Sequence, residues 1–337
     1  MPAIVIGSLE PGEGRTAALA GLGAALAGAG LRLEASSRGS ARGAQPGGRS
    51  VRLLRVRSPE GADAGAEDDA WALATVPGCA APPAAVSEQE AQVQAREAEA
   101  AGALCLIEAP AGLPGELAAG LSARVVLVSA QADDLRLGDL AAAARSLADA
   151  LLGVIVTRQP ERRLAAVRAS LEERGLACLA ALPEDRLLAG PSVREVAEAL
   201  HASRLVADGD EDEAVEFVML GPISADPGQP YFLQHGSKAV VNRFDKMDLH
   251  LAALATEPDC LVLTGGQLPS PYLLDRVQGS EREVTVLLSP EGTVRTMELI
   301  DELYGATRFS GRRKVARAIE VFHRYLDLEK LTGALGG

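Results

Sequence analysis

The chain has 337 residues, 47% of them apolar and 23% charged, enough for about two domains with proper cores. A formal net charge of −13 argues against a nucleic-acid partner, which needs clustered basic charge. No apolar run reaches the length of a membrane span and no charged-then-apolar leader opens the chain, so a soluble, cytoplasmic protein with no membrane partner is expected.

The first segment alternates strand and helix patterns. Strands are predicted at Ala3–Ile6, Leu31–Ala35, Val51–Arg57, Ala103–Glu108, Val125–Ser129, Leu152–Thr157 and Leu176–Ala181, several of them continuous apolar runs. Helices are predicted at Thr16–Gly30, Ser87–Ala101, Leu137–Ala150, Pro160–Arg174 and Ser192–His201. Gly175 is a helix stop, and Ser192 with Glu195 makes a capping box. This alternation predicts a doubly wound parallel sheet. Residues 36–50, 58–68 and 77–85 read as loose loops. The acidic run Asp208–Glu213 reads as a solvated linker, because like charges in a row repel and stay wet. Beyond it, strands at Val215–Leu220, Ala239–Val241, Cys260–Thr264 and Val284–Leu288 alternate with helices at Asp245–Ala255, Pro271–Gln278, Thr293–Tyr304 and Arg312–Tyr325. The Arg312-Arg313-Lys314 run is expected on a solvated helix face. The expected organisation is a P-loop-like domain over 1–205, an acidic linker over 206–214 and a smaller α/β domain over 215–330.

Scattered reactive residues exclude some chemistry. Cys79, Cys105, Cys178 and Cys260 have no paired spacing and read as small buried hydrophobes; His201, His235, His250 and His323 build no metal set. Lysine is scarce: there are four, the first at Lys238.

Chemistry concentrates at Gly7-Ser8-Leu9-Glu10-Pro11-Gly12-Glu13-Gly14-Arg15-Thr16, a glycine-rich loop between strand and helix. In that context backbone N–H groups and the helix dipole favour a phosphate, with Gly12, Gly14, Arg15 and Thr16 as the nucleotide-contacting candidates. The usual lysine is Arg15, and a planar guanidinium is not equivalent to an ammonium there. Glu10 and Glu13 add negative charge beside the phosphate position. A working nucleotide site and an architectural turn both remain open. Glu108, at a strand end, is a magnesium or substrate-orienting carboxylate, or a residue reaching water. Thr157-Arg158 lies on the same ligand-binding face, as do Asp133 and Asp134, which read as solvated loop. In the second segment, Asn242, Arg243, Asp245 and Lys246 follow one strand and Thr264, Gly265 and Gly266 the next. These turns either cradle an anion or cap a helix, with Asp245 at the N-cap.

In this order the motifs resemble the proteins that join a dethiobiotin synthetase-like P-loop domain to a DRTGG domain, as in the N-terminal part of long bacterial phosphate acetyltransferases. The resemblance covers nearly the whole chain and is weakest over residues 36–100. It is carried by the opening loop, Leu106-Ile107-Glu108, Gly153–Thr157, Leu182-Pro183-Glu184-Asp185-Arg186-Leu187-Leu188, Ser192–Ala197, Gly221-Pro222-Ile223-Ser224, Lys238–Val241, Asp248–Leu254 and Leu263–Gly266. Against the family pattern, Arg15 replaces the loop lysine, Ala109 a glycine and Thr157 the adenine-reading asparagine. The Thr-Gly-Gly-Asp-Arg turn stands as Asn242–Lys246, which keeps only the acid and a cation. No lysine before Lys238 supplies the substrate-side lysine of dethiobiotin synthetases, and no acetyltransferase catalytic domain is seen.

The resemblance and its departures imply a non-catalytic regulatory or ligand-sensing protein with weak or no ATP hydrolysis. No cofactor is certain; ATP with magnesium on Thr16 and Glu108 is the candidate. The expected partners are a second copy, a separate phosphate acetyltransferase subunit or a nucleotide. The alternative is an ATP-dependent carboxylate-activating enzyme of the dethiobiotin or cobyrinate type, with Arg15 on the phosphates.

Overall fold

The computed structural model describes residues 3–29, 32–35, 50–57, 73–77, 85–222, 231–279 and 283–336. The loop predicted over 36–50 except Ser50, the loop over 58–68, most of that over 77–85, Leu31, Cys79, Ile223 and Ser224 lie outside them. The chain forms two compact units, Met1–Asp185 with Val315–Gly337, and Arg186–Lys314.

The first unit is built on β1 (Ala3–Ser8), β2 (Arg32–Ala35), β3 (Ser50–Val56), β4 (Ala85–Val86), β5 (Leu104–Glu108), β6 (Arg124–Ser129), β7 (Leu151–Gln159) and β8 (Cys178–Pro183). They pair in the order β2-β3-β5-β1-β6-β7-β8, with β4 beside β3, and every pairing is parallel. Parallel strands need crossovers, and the helices supply them on both faces. Ala3 and Val5 of β1 join a core with Ala91, Ala95 and Ala98 of the Glu88–Ala100 helix, Leu117 of Gly115–Leu121, Leu140 of Asp134–Leu147 and Leu171 of Leu164–Glu173. Ile4 and Ile6, one residue out of phase, are equally buried on the opposite face. The Arg15–Gly28 helix leaves room there at Gly21, where a Cβ would sit 2.2 Å from the Phe322 ring. With only five phenylalanines in the chain, this small-against-large fit does work that aromatic packing does elsewhere.

The second unit is a five-stranded sheet, β10 (Phe217–Leu220), β11 (Lys238–Arg243), β12 (Cys260–Thr264), β13 (Thr285–Leu288) and β9 (Ser203–Ala207) in that order. The first four are parallel, and β9 closes the edge antiparallel to β13. Alternate residues of the same strands feed two cores. Val240, Leu261 and Val286 pack with Ala253, Leu273 and Val277; Val241, Val262 and Leu287 pack with Val193, Val196 and Ile300.

The sequence pattern did not reveal β4, the Gly115–Leu121 helix, β9 or the Leu328–Gly336 helix, all short or broken by small residues. The unit boundary also lies elsewhere than the acidic run. Ser192 caps the Val193–Ala199 helix with Glu195 as predicted, yet that helix and β9 both pack in the second unit. Part of the acidic run is paired, Arg204 with Glu211 at 2.7 Å and Arg194 with Asp212 at 2.7 Å, while Asp208 and Asp210 are exposed as expected. Glu213 accepts the backbone N–H groups of Arg312 and Arg313. Of Arg312-Arg313-Lys314, the first two are exposed as expected and the third is not. Arg313 reaches Asp259 at 2.8 Å, and Lys314 is wholly buried with its ammonium on the Thr307 hydroxyl and the Arg308 carbonyl. Lys238 is buried the same way, donating to the carbonyls of His235 and Thr256. Burial drives the Cys105 thiol up to about 12 and raises those of Cys178 and Cys260, so these three are packing residues and not thiolate nucleophiles at neutral pH.

Gly21→Ala is expected to cost about 1–3 kcal/mol by driving a methyl into the Phe322 ring. Thermal denaturation of the variant, and partial recovery in Gly21→Ala/Phe322→Leu, checks this.

Candidate functional site

Strand order reverses about β1, so the crevice beyond its carboxyl end is where an open parallel sheet receives a ligand. The loop leaving β1 crosses that point. Its turn is built by Gly12 and Gly14 with φ of +76° and +94°, a region that side chains avoid. Gly7 is required for a second reason, since any Cβ there would strike the Pro114 ring. The Gly14 carbonyl then accepts from Ala18 as the Arg15–Gly28 helix begins.

Around this loop stand the carboxyl ends of β3, β5, β6 and β7. Arg55 and Glu108 are register partners on β3 and β5, so their side chains emerge on one face. Arg55 Nε donates to Glu108 Oε2 at 3.0 Å, and Thr16 Oγ1 donates to Oε1 at 2.8 Å. Arg15 turns its Nη1 to the Ala109 carbonyl at 2.6 Å. Ala109 in turn donates its N–H to Ile6. Thr157, inside the longer β7, donates to the carbonyl of Glu13 at 3.1 Å, and Arg158, at φ of +56°, donates to that of Gly12 at 2.9 Å. Glu13 itself is buried under the loop. Its carboxylate accepts from Glu10 N at 3.0 Å, Ser129 Oγ at 3.1 Å and Arg136 Nη2 at 2.7 Å, and Arg136 also pairs with Glu10 at 2.8 Å.

The structure therefore gathers Gly12, Gly14, Arg15, Thr16, Glu108 and Thr157 at one sheet edge. It adds Arg55, Ser129 and Arg136, which the sequence reading passed over. Arg55 had a legible signal: an arginine inside the apolar run Val51–Val56 needs a buried acidic partner. Asp133, expected as solvated loop, caps the Asp134–Leu147 helix through Arg136 N, while Asp134 is exposed and pairs with Arg174. The donors that would hold a divalent cation are Thr16 Oγ1 and Glu108. They fit it poorly. The cation would compete with the Arg55 guanidinium for the same carboxylate and would have to break the Thr16–Glu108 bond. Among the described residues no cluster of three or more His, Cys, Asp or Glu could hold a metal, and no helix is long and apolar enough to cross a membrane.

At the carboxyl edge of the second sheet, β11 ends in Asn242 and Arg243 and β12 in Thr264. Gly265 and Gly266 have φ of +101° and +67°, but their N–H groups are taken by the carbonyls of Glu291 and Ser289. The Thr264 hydroxyl meets that of Thr293 at 2.8 Å. Arg243 pairs with Asp245 at 3.0 Å, both exposed, and its guanidinium lies over Phe244. Lys246 and not Asp245 holds the N-cap position of the Met247–Leu254 helix. The turns thus use on themselves the donors that an anion cradle would present. Behind them Asn242 Nδ2 faces His250 Nδ1 at 3.4 Å, and His250 Nε2 faces the Phe244 carbonyl at 3.1 Å. A donor and an acceptor on the two sides assign the proton to Nε2. Asn242 Oδ1 lies against Gly221, where a Cβ would fall 1.8 Å away, and has no hydrogen-bond partner.

Residues 195–303 match the family model of the DRTGG domain. The second unit is a DRTGG domain. Elsewhere in sequence, the phosphate acetyltransferase of Nitratidesulfovibrio vulgaris (strain Hildenborough) is 27% identical over 164 residues, which are 46% of this chain and 23% of the relative. The chain thus spans about a quarter of that relative's length. Among solved structures, the CBS and DRTGG domains of the Clostridium perfringens pyrophosphatase regulatory region, complexed with diadenosine tetraphosphate, align at 12% identity. The alignment has a TM-score of 0.30 and covers 44% of this chain and 74% of that one. The Aquifex aeolicus MinC:MinD complex aligns at 16% identity and a TM-score of 0.39, over 56% and 84%.

In the DRTGG unit, desolvation lowers the pKa of His250 from its ordinary 6.5, against an opposing hydrogen bond to Phe244. A depressed folded-state value means that the unfolded chain takes up the proton first as pH falls below 6.5, so stability is present above that value and lost below it. Unfolding midpoints measured from about pH 7 to about pH 5 should decline, and His250→Leu should flatten that decline relative to the wild type.

Proposed function

We propose that this chain is a regulatory or ligand-sensing protein related to the N-terminal region of long phosphate acetyltransferases, and that its first unit is a P-loop-like scaffold with weak or no ATP hydrolysis. One observation carries the reading: Glu108, the carboxylate a magnesium-nucleotide would need, is shared between Arg55 and Thr16 at 3.0 and 2.8 Å. The replacement of the loop lysine by Arg15, directed at the Ala109 carbonyl, points the same way. The DRTGG match and the similarity to a phosphate acetyltransferase supply the family context. The residues offered for ligand contact are Gly12, Gly14, Arg15, Thr16, Glu108 and Thr157 in the first unit. In the second they are Asn242, Arg243, Asp245, Lys246, Thr264, Gly265 and Gly266, of which Arg243, Asp245 and Lys246 present exposed side chains while Asn242 and Thr264 are buried.

The alternative of an ATP-dependent carboxylate-activating enzyme draws on the adjacency of Thr16 and Glu108, the pair that would share magnesium. It requires Arg55 to leave that carboxylate.

Calorimetric titration with Mg-ATP, followed by phosphate release, separates the two. Neither micromolar binding nor release is expected; magnesium-dependent turnover abolished by Thr16→Ala and kept by Arg15→Lys would establish the enzyme instead. For the regulatory partner, a tagged chain is expected to retain a separately encoded phosphate acetyltransferase during purification, and an isolated oligomer without it would count against that subunit role.

A further inference from the structure

We propose that Glu13 is a built-in anion: its carboxylate gathers one donor of the glycine-rich loop and two from β6 and the Asp134–Leu147 helix, and so holds that loop closed without an external ligand. The proposal rests on the reading above that the loop is a scaffold, and it says what keeps the scaffold closed. A phosphate-binding loop is a ring of donors around negative charge, and without that charge the donors repel one another and the turn loses its template.

Here the negative charge is covalently attached. Glu13 is only 3% exposed although it lies in a surface turn. It collects three donors of different origin: the loop's own Glu10 N–H, the Ser129 hydroxyl at the end of β6 and the guanidinium of Arg136. Such a set of one backbone amide, one hydroxyl and one guanidinium is what a bound carboxylate or phosphate uses. Arg136 gives an independent sign. Its side chain is itself more than nine-tenths buried, and its Nε has no acceptor among the described residues, so the Nε–H is a donor beyond those that Glu13 and Glu10 satisfy. The rest of the loop is fastened from outside by Thr157 on the Glu13 carbonyl and Arg158 on that of Gly12, which leaves the carboxylate as the part that an anion can replace. The ligand chemistry implied for a vacated site is a small oxyanion, bound through Arg136, Ser129 and the Glu10 amide with no metal.

The test is chemical rescue. Glu13→Ala strands the Glu10 N–H and leaves the Ser129 hydroxyl with only the Gln131 carbonyl and Arg136 with only Glu10, and it is expected to lower the Tm by several degrees. Sodium formate should restore part of that loss relative to sodium chloride of equal ionic strength, with inorganic phosphate as the second probe. The wild type should respond to neither anion beyond the chloride control. A variant indifferent to both anions, or a wild type that gains as much as the variant, overturns the proposal. Should the alanine variant not fold, Glu13→Gln keeps the shape and removes the charge. Hydrogen exchange at Glu10 should then quicken and be slowed again by phosphate in the variant alone, and unchanged exchange counts against the built-in anion. Mg-ATP turnover by the wild type would end the scaffold reading instead, so the two failures are distinguishable.

Discussion

The neutralisation of Glu108 is the constraint on which the first unit turns. A carboxylate at the end of a buried strand is costly unless it is paired, and removing one partner of such a pair typically costs about 3–5 kcal/mol. Strand register sets Arg55 beside it, and Thr16 reaches it from the first turn of the following helix. One side chain thereby ties β3, β5 and the Arg15–Gly28 helix together, and the start of that helix is fixed before any ligand is considered. The loop between β1 and the helix must then close a set distance, which Gly12 and Gly14 do with backbone angles that other residues resist.

The DRTGG unit solves its polar problems with cations of a different kind. The chain has four lysines, and two of them, Lys238 and Lys314, are its largest fully buried side chains. Lys238 sends its compact ammonium to two backbone carbonyls and Lys314 to one carbonyl and the Thr307 hydroxyl, a geometry that the planar guanidinium serves less well. Burial lowers the pKa of Lys238, and nearby Asp259 acts to raise it. Arginine is used where a planar fork meets a carboxylate, as at Arg204 with Glu211. Two of the four lysines thus hold structural positions in this unit.

Much of the fold was legible in the sequence because its signals are periodic and local. Apolar runs gave the central strands, and Ser192 with Glu195 declared a helix start that the structure places at Val193. The unit boundary was not legible, because a row of acidic residues reads as wet until Arg194 and Arg204 are known to lie beside it. The candidate site divides along the same line. Gly12, Gly14 and Thr16 are contiguous and announce their turn, whereas Arg55, Ser129 and Arg136 reach it from three other elements and belong to it only after the sheet has formed. In the second unit the Gly265-Gly266 pair was visible as a turn, but the destination of its N–H groups depended on carbonyls more than twenty residues away.

The first unit is assembled from two stretches of chain, Met1–Asp185 and Val315–Gly337, with the whole DRTGG unit between them. Phe322 fills the space that Gly21 leaves, and the N–H of Asp327 reaches the carbonyl of Leu179 on β8. During synthesis the ribosome therefore finishes every residue of the second unit before it releases the segment that completes the first. The unit begun first is the one completed last, and until then Gly21 and the end of β8 lack the C-terminal residues that pack on them.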